Sequence, residues 1–166
     1  MNTLINAIVP ALRLTIPFGI IALVFCIIRK YDRKKTTYWS LFSAYIGAVI
    51  GETILSGQRY ASRSIQLIPF KSVITWLSLG RHTPILQMAL NMVLFIPMGV
   101  FLYLGKRKPM LSVLIGLGSS LVIEIVEYIT KTGVFDIDDL IMNTLGTVIG
   151  YFIAKLVFGR RKREID

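Results

Sequence analysis

Apolar residues in this chain neither alternate nor gather into a single helical stripe; they run in long blocks separated by short basic or polar breaks. A helix crossing the hydrocarbon core of a bilayer takes about 20 mostly apolar residues. Five blocks reach that length when an occasional charge is admitted: 4–28, 36–57, 84–105, 109–130 and 138–158. Pro84 and Pro109 suit the first turns of helices, and Gly105 and Gly159 suit helix ends. The pattern predicts an all-α integral membrane protein: a bundle of about five transmembrane helices forming one domain over residues 1–166. The first block has no basic start and no small-residue cleavage site, so it reads as a retained span rather than a signal peptide.

The longest break, 58–83, is too apolar for a free loop and too short and polar to span. After Pro69, the residues Phe70, Val73, Ile74 and Leu77 recur at helical spacing with Trp76 beside them. This predicts a short interfacial helix between the second and third spans.

Composition agrees with the pattern. Of 166 residues, 54% are hydrophobic and 17% charged, and the mean hydropathy is +0.67. A soluble domain carries about 25% charged residues. The net charge of +10 would, in a soluble protein, suggest nucleic acid, so the positions of the charges matter. One side of the five-span scheme collects 12 Lys and Arg, at 29–35, 106–108 and 160–163, and the other collects 5, namely Arg59, Arg63, Lys71, Arg81 and Lys131. Basic residues mark cytoplasmic loops, so a multi-pass cell-membrane protein with its amino terminus outside and its carboxyl terminus in the cytoplasm is expected. The basic runs then need no nucleic-acid partner, and they suit anionic lipid of the inner leaflet. The single cysteine, Cys26, leaves no internal disulfide or cysteine metal cluster.

A charge at the centre of a membrane helix costs about 2.5–3.5 kcal/mol on insertion scales, so depth is informative. Glu52 sits five residues before the outer end of span two, roughly 7–8 Å deep at 1.5 Å per residue. Asn91 in span three, Glu124 and Glu127 in span four, Asn143 in span five and Arg13 in span one all fall in the same outer layer. Glu124 and Glu127 are three apart and Tyr128 is four from Glu124, so they share a helix face. Two carboxylates on one face in low dielectric call for a shared proton or a cationic partner, for which Arg13 is the candidate. Pro17 removes the hydrogen bond to the Arg13 carbonyl and is expected to kink the first helix there.

The segment from Gly133 to Gly150 carries Asp136, Asp138, Asp139 and Asn143. One reading is structural: Asp136 caps the fifth helix, Asp139 stands at its third position, and Gly146 and Gly150 form a close packing face. The other is a site whose carboxylates bind a polar head group or a divalent cation, with Asp136, Asp138 and Asp139 as the metal ligands. The two are compatible. The lone histidine, His82, gives little support to a histidine metal site or a Ser-His-Asp set, and Ser119 and Ser120 read as packing residues.

Three segments together resemble the VanZ-like family: Asn91-Met-Val-Leu-Phe-Ile-Pro-Met-Gly99, Leu121-Val-Ile-Glu-Ile-Val-Glu127, and Phe135-Asp-Ile-Asp-Asp-Leu-Ile-Met-Asn143-Thr-Leu-Gly146 with Gly150 and Tyr151. Ile68-Pro69-Phe70 is similar to another segment of that family, and the resemblance covers roughly 40–155. Where the family commonly has Glu-x-x-Gln, this chain has Glu124-x-x-Glu127. The resemblance implies a link to resistance against glycopeptide antibiotics of the lipidated, teicoplanin kind. Two classes of function follow. The first is an outward-facing pocket, built from Arg13, Glu52, Asn91, Tyr128, Asp136, Asp138, Asp139 and Asn143, that binds an amphiphilic cell-envelope ligand: a lipid head group, a lipid-linked precursor or a lipoglycopeptide. The second is a membrane enzyme acting on such a substrate, with Glu124 and Glu127 as catalytic acid and base.

Overall fold

The computed structural model describes residues 2–55, 63–78 and 83–163. His82, Arg59 and Arg81 lie outside the described residues. In chain order the elements are α1 (Asn2–Ile28), α2 (Arg33–Ile50) running on into a π turn (Gly51–Leu55), β1 (Ile65–Gln66), α3 (Lys71–Ser78), α4 (Thr83–Leu104), α5 (Pro109–Thr130), β2 (Phe135–Asp136) and α6 (Ile137–Arg163). They fall into two compact units, Met1–Ala61 with Thr130–Gly133, and Ser62–Ile129 with Val134–Asp166.

The fold is mostly helical, and three helices among the described residues are long and apolar enough to cross a membrane: Ile85–Leu104, Pro109–Thr130 and Ile137–Gly159. All three belong to the second unit, and they coincide with the last three blocks of the sequence pattern. In α1 the described apolar stretch is Arg13–Ile28. The first half of α2, Arg-Lys-Lys-Thr-Thr-Tyr-Trp-Ser, is polar, which keeps that helix below the composition of a membrane span.

In the first unit α1 and α2 pack through small residues. A Cβ on Gly47 would meet the Leu14 carbonyl and one on Gly19 would touch the Ala44 side chain. The Ser43 hydroxyl donates to the Phe18 carbonyl at 3.0 Å. α1 is helical on both sides of Pro17 and ends on a left-handed Lys30, φ 52°. There the N–H of Tyr31 reaches back to the Cys26 carbonyl and that of Lys30 to Ile27, the paired bonds of a Schellman end. Asp32 then caps α2, its Oδ1 accepting the Lys35 N–H at 3.0 Å. That bond holds the exposed Asp32 carboxyl below its ordinary pKa.

In the second unit α4 and α6 approach backbone to backbone. A Cβ on Gly146 would overlap the Met92 carbonyl, one on Gly150 the Ile96 carbonyl, and one on Gly99 the Thr147 carbonyl. Gly146 and Gly150 thus act as the close packing face that their spacing predicted, and Gly99 supplies the matching gap on α4. On α5, Gly116 faces the Thr147 side chain. Phe95, Met98, Leu102, Leu140 and Tyr151 fill the core. Tyr151 stands edge-on to Tyr103 at 5.4 Å and donates its hydroxyl to the Arg107 carbonyl at 3.0 Å.

One of the two predicted helix ends is found and the other is not. α4 ends at Leu104, directly before Gly105, with the left-handed Lys106, φ 57°, one residue on. α6 does not stop at Gly159 but continues to Arg163. Arg160, Arg161, Lys162 and Arg163 are good helix formers whose charge suits the negative end of the helix dipole, so the glycine alone does not break the helix.

The stretch before α4 is tied down by the α5–α6 connection. β1 pairs in parallel with β2, Ile65 opposite Phe135 and Gln66 opposite Asp136. The Phe135 N–H donates to the Ser64 carbonyl at 3.2 Å, and Arg63 reaches the Ile129 carbonyl at 3.4 Å. A short helix does follow Pro69, but it begins at Lys71; Phe70 stands outside it with φ 60°.

Candidate functional site

Three elements of the second unit converge on one polar cluster: the last turns of α5, the first turns of α6 and the first half of α4. Ser120, Glu124, Glu127 and Tyr128 recur on one face of α5, Asp139 and Asn143 recur on α6, and Asn91 faces them from α4. Within this apolar unit four of its members are deeply buried, Glu124 being 1% exposed, Asp138 2%, Asn143 5% and Ser120 0%, and the others are half-buried.

Its hydrogen bonds are specific. Glu124 Oε2 accepts the backbone N–H of Asp136 at 2.8 Å, which holds the α5–α6 connection over the carboxylate. Asp136 Oδ1 accepts the Asp138 N–H at 2.9 Å, two residues on, the bond of a helix cap. Asp138 Oδ1 accepts the Phe70 N–H at 2.7 Å, linking α6 to the turn before α3. Asn91 Nδ2 donates to Asp139 Oδ1, and Asn143 Nδ2 donates to Ser120 Oγ at 2.9 Å. Glu124 lies within electrostatic reach of Glu127, Asp136 and Asp139. The Tyr128 ring carries the Arg63 guanidinium 5.8 Å above its centre.

Glu124, Glu127, Asn91, Tyr128, Asp136, Asp138, Asp139 and Asn143 are thus gathered in one unit. Arg13, which is exposed, and Glu52, in the π turn, belong to the first unit. The three aspartates do not form a metal set. Among the described residues no three His, Cys, Asp or Glu side chains group to hold an ion. Instead Asp136 turns to its own helix, Asp138 to Phe70 and Asp139 to Asn91.

Two participants lie beyond the sequence reading. Ser120, read there as a packing residue, is the partner that orients Asn143. Phe70 contributes its main-chain N–H, and an aromatic residue at positive φ gives no compositional hint of its conformation, as Gly or Asn would. The only available signal was Pro69 before it, marking a turn.

Burial pushes the Asp136 carboxyl above the ordinary carboxylate range, against the lowering pull of the Asp138 N–H. A raised carboxyl favours the folded state when protonated; this contribution is complete below the unfolded pKa of about 3.9 and is lost as pH rises through the folded value. Asp136→Asn keeps the capping oxygen and removes the ionisation. The variant should match wild type at low pH and melt at equal or higher temperature at neutral pH, whereas Asp136→Ala should lose about 1 kcal/mol at both. Thermal unfolding in nanodiscs across that range checks this. A destabilised Asn variant at neutral pH would show that the charge itself is needed.

The VanZ/LLP1 family model matches residues 42–158, from within α2 through most of α6. The chain belongs to the VanZ/LLP1 family. No curated protein and no solved structure matches it. The matched span contains every residue of the polar cluster and leaves out all of α1, including Arg13. Membership and the three apolar helices together make this a VanZ-like membrane protein.

Proposed function

We propose that this VanZ/LLP1 protein holds an amphiphilic cell-envelope ligand in an outward-facing polar pocket. The ligand class is a lipid head group, a lipid-linked precursor or a lipoglycopeptide, and the role is protection against glycopeptide antibiotics of the teicoplanin kind. The observation that carries the reading is the buried Glu124 carboxylate, bonded to the Asp136 backbone inside an apolar span and joined there by Asp138, Asp139, Asn91 and Asn143. Placing such groups among membrane helices is costly, and a polar ligand that enters from the lipid gives them a use. Five spans complete the reading, α1 and α2 adding two to the three apolar helices, with α3 lying at the interface.

Expression of the full chain in a teicoplanin-sensitive bacterium tests the role. Protection should be greater against a lipidated glycopeptide than against one without an acyl chain. Equal protection against both, or none, would remove the amphiphilic ligand from the proposal.

Orientation has its own test. In whole cells, a cysteine at position 132 in place of Thr132 should react with an impermeant thiol reagent, and one in place of Lys106 should not. The buried native Cys26 leaves the background low. Labelling at 106 and protection at 132 would invert the topology and close the pocket to the outside.

A further inference from the structure

In the first unit, α1 and α2 part near their connection to leave a cleft of about 430 Å³, within the range of small-ligand sites, about 300–1,000 Å³. Its α1 wall is Phe18, Ala22, Phe25 and Cys26, and its α2 wall is Trp39, Phe42, Ser43 and Ile46, with Tyr31 of the connection between them. Each set recurs at helical spacing and so forms one helix face. Cys26, 1% exposed, lies at the floor, while Phe25, Tyr31 and Trp39, 54%, 40% and 44% exposed, form an open rim.

The next position along each face is basic. Arg29 stands three after Cys26, in the last turn of α1, where its N–H still reaches the Phe25 carbonyl at 2.9 Å. Lys35 stands four before Trp39 on α2. The cleft therefore has a direction: an apolar interior, then a cationic end beside Tyr31 and Trp39, residue types that gather at membrane interfaces. From Arg29 to Phe18, and from Lys35 to Ile46, is eleven residues, about 16 Å of helix at 1.5 Å per residue. That is close to half of a hydrocarbon core about 30 Å thick, the depth of one leaflet.

Charge at that end is one-sided. Residues 29–35 hold five bases and one acid. Asp32 commits its carboxylate to the Lys35 N–H at 3.0 Å and to the Lys35 ammonium at 3.5 Å, and the latter is an exposed pair that contributes little. Among the described residues Arg29, Lys30, Arg33 and Lys34 meet no carboxylate. Beyond the cleft, Ile20, Ile21 and Ile27 of α1 are more than half exposed, a surface that suits lipid. A second copy laid here in the same orientation would oppose one basic run to another. An anionic phospholipid matches both ends, with its chain against the apolar faces and its phosphate at the cations.

We propose that the α1–α2 cleft is a binding site for one anionic phospholipid, its acyl chain lying along Cys26 and Phe42 and its phosphate held by Arg29 and Lys35. This goes beyond the outward-facing pocket and rests on the reading above only in taking α1 and α2 as spans.

The test uses the full chain carrying Trp76→Phe, which leaves Trp39, on the rim, as the sole tryptophan. The protein is placed in phosphatidylcholine bilayers with a rising fraction of chain-brominated phosphatidylglycerol, and in the mirror series with bromine on phosphatidylcholine. Bromine quenches indole fluorescence only at close range, so the two curves give the relative affinity of the lipids at Trp39. Phosphatidylglycerol should be preferred about fivefold or more. Arg29→Gln with Lys35→Gln should bring the preference toward one, while Lys106→Gln with Lys108→Gln, an equal loss of charge in the second unit, should leave it. Ala22→Phe keeps every charge and fills the cleft, and the preference should fall with it. Equal quenching by the two lipids would overturn the proposal and keep the spans. An unchanged preference in Ala22→Phe, or an equal fall in the 106 and 108 pair, would overturn it in favour of diffuse attraction to basic surface. Quenching by neither lipid would overturn it too, giving the cleft to a second copy where the chain elutes as a dimer and taking α1 and α2 out of the bilayer where it elutes as a monomer. The charge variants lie at exposed positions, so they separate a site from diffuse attraction even where Ala22→Phe does not fold.

Discussion

Gly150→Ala should cost the protein its folded second unit, because a single added methyl group has no room between α4 and α6. The added Cβ would fall on the Ile96 carbonyl oxygen of α4, and Gly146→Ala would place one on the Met92 carbonyl a turn away. Neither obstacle is the flexible end of a side chain. Relief requires α4 and α6 to part along their whole contact, because the oxygen belongs to a helix. Overpacking in a closely fitted interior costs about 1–3 kcal/mol where side chains can move, and a backbone obstacle puts this site at or above the upper end. The control lies on α5: a Cβ on Gly118 meets nothing, so Gly118→Ala should be neutral or stabilise by up to about 1 kcal/mol through helix propensity. Thermal unfolding of the three purified variants gives the answer. A Gly150→Ala protein that melts with wild type would mean that the two helices do not meet at this distance.

That contact also shows how the sequence was legible. The 146 and 150 spacing pointed to a packing face, because two glycines four apart in an apolar helix have few other uses. It could not say that Gly99 on α4 receives that face, since partner choice depends on tertiary placement. The blocks of apolar residues located α4, α5 and the start of α6 nearly to the residue, because membrane length is a strong constraint. They were weaker for α2, whose polar first half does not carry the signal.

In the cluster, spacing grouped Glu124 with Glu127 and Asp139 with Asn143, since residues on one helix have a fixed angular relation. Spacing could not supply relations across elements. The bonds from Asp136 N–H to Glu124, from Phe70 N–H to Asp138 and from Asn143 to Ser120 span 12, 68 and 23 residues. Two of them use main-chain groups, which every residue has and which therefore leave no mark on composition. The three aspartates, Asp136, Asp138 and Asp139, differ in their partners. Asp136 makes the capping bond, while Asp138 and Asp139 turn to other elements.

The same distinction gives the largest expected effect on activity. Glu124 has two separable tasks: its Oε2 holds the Asp136 N–H at 2.8 Å, and its carboxyl brings an ionisable group to an acidic cluster. Glu124→Gln keeps a carbonyl oxygen where the N–H needs one and removes the ionisable group. The protein should insert, accumulate and melt near wild type, yet give no protection against lipidated glycopeptide. Glu124→Leu removes both. The buried Asp136 N–H would be left without an acceptor at a cost of about 1–3 kcal/mol, so stability should fall together with protection. Measuring melting temperature and susceptibility on both variants separates the tasks. A Gln variant with full protection would make Glu124 a structural acceptor only, and the acidic site would then have to stand on Asp138 and Asp139. A Gln variant that fails to fold would place the carboxyl group itself in the architecture. The informative result lies between: a folded, inserted, inactive Gln protein beside a destabilised Leu protein requires both the hydrogen bond that positions the α5–α6 connection and a carboxylate that acts on something other than the fold.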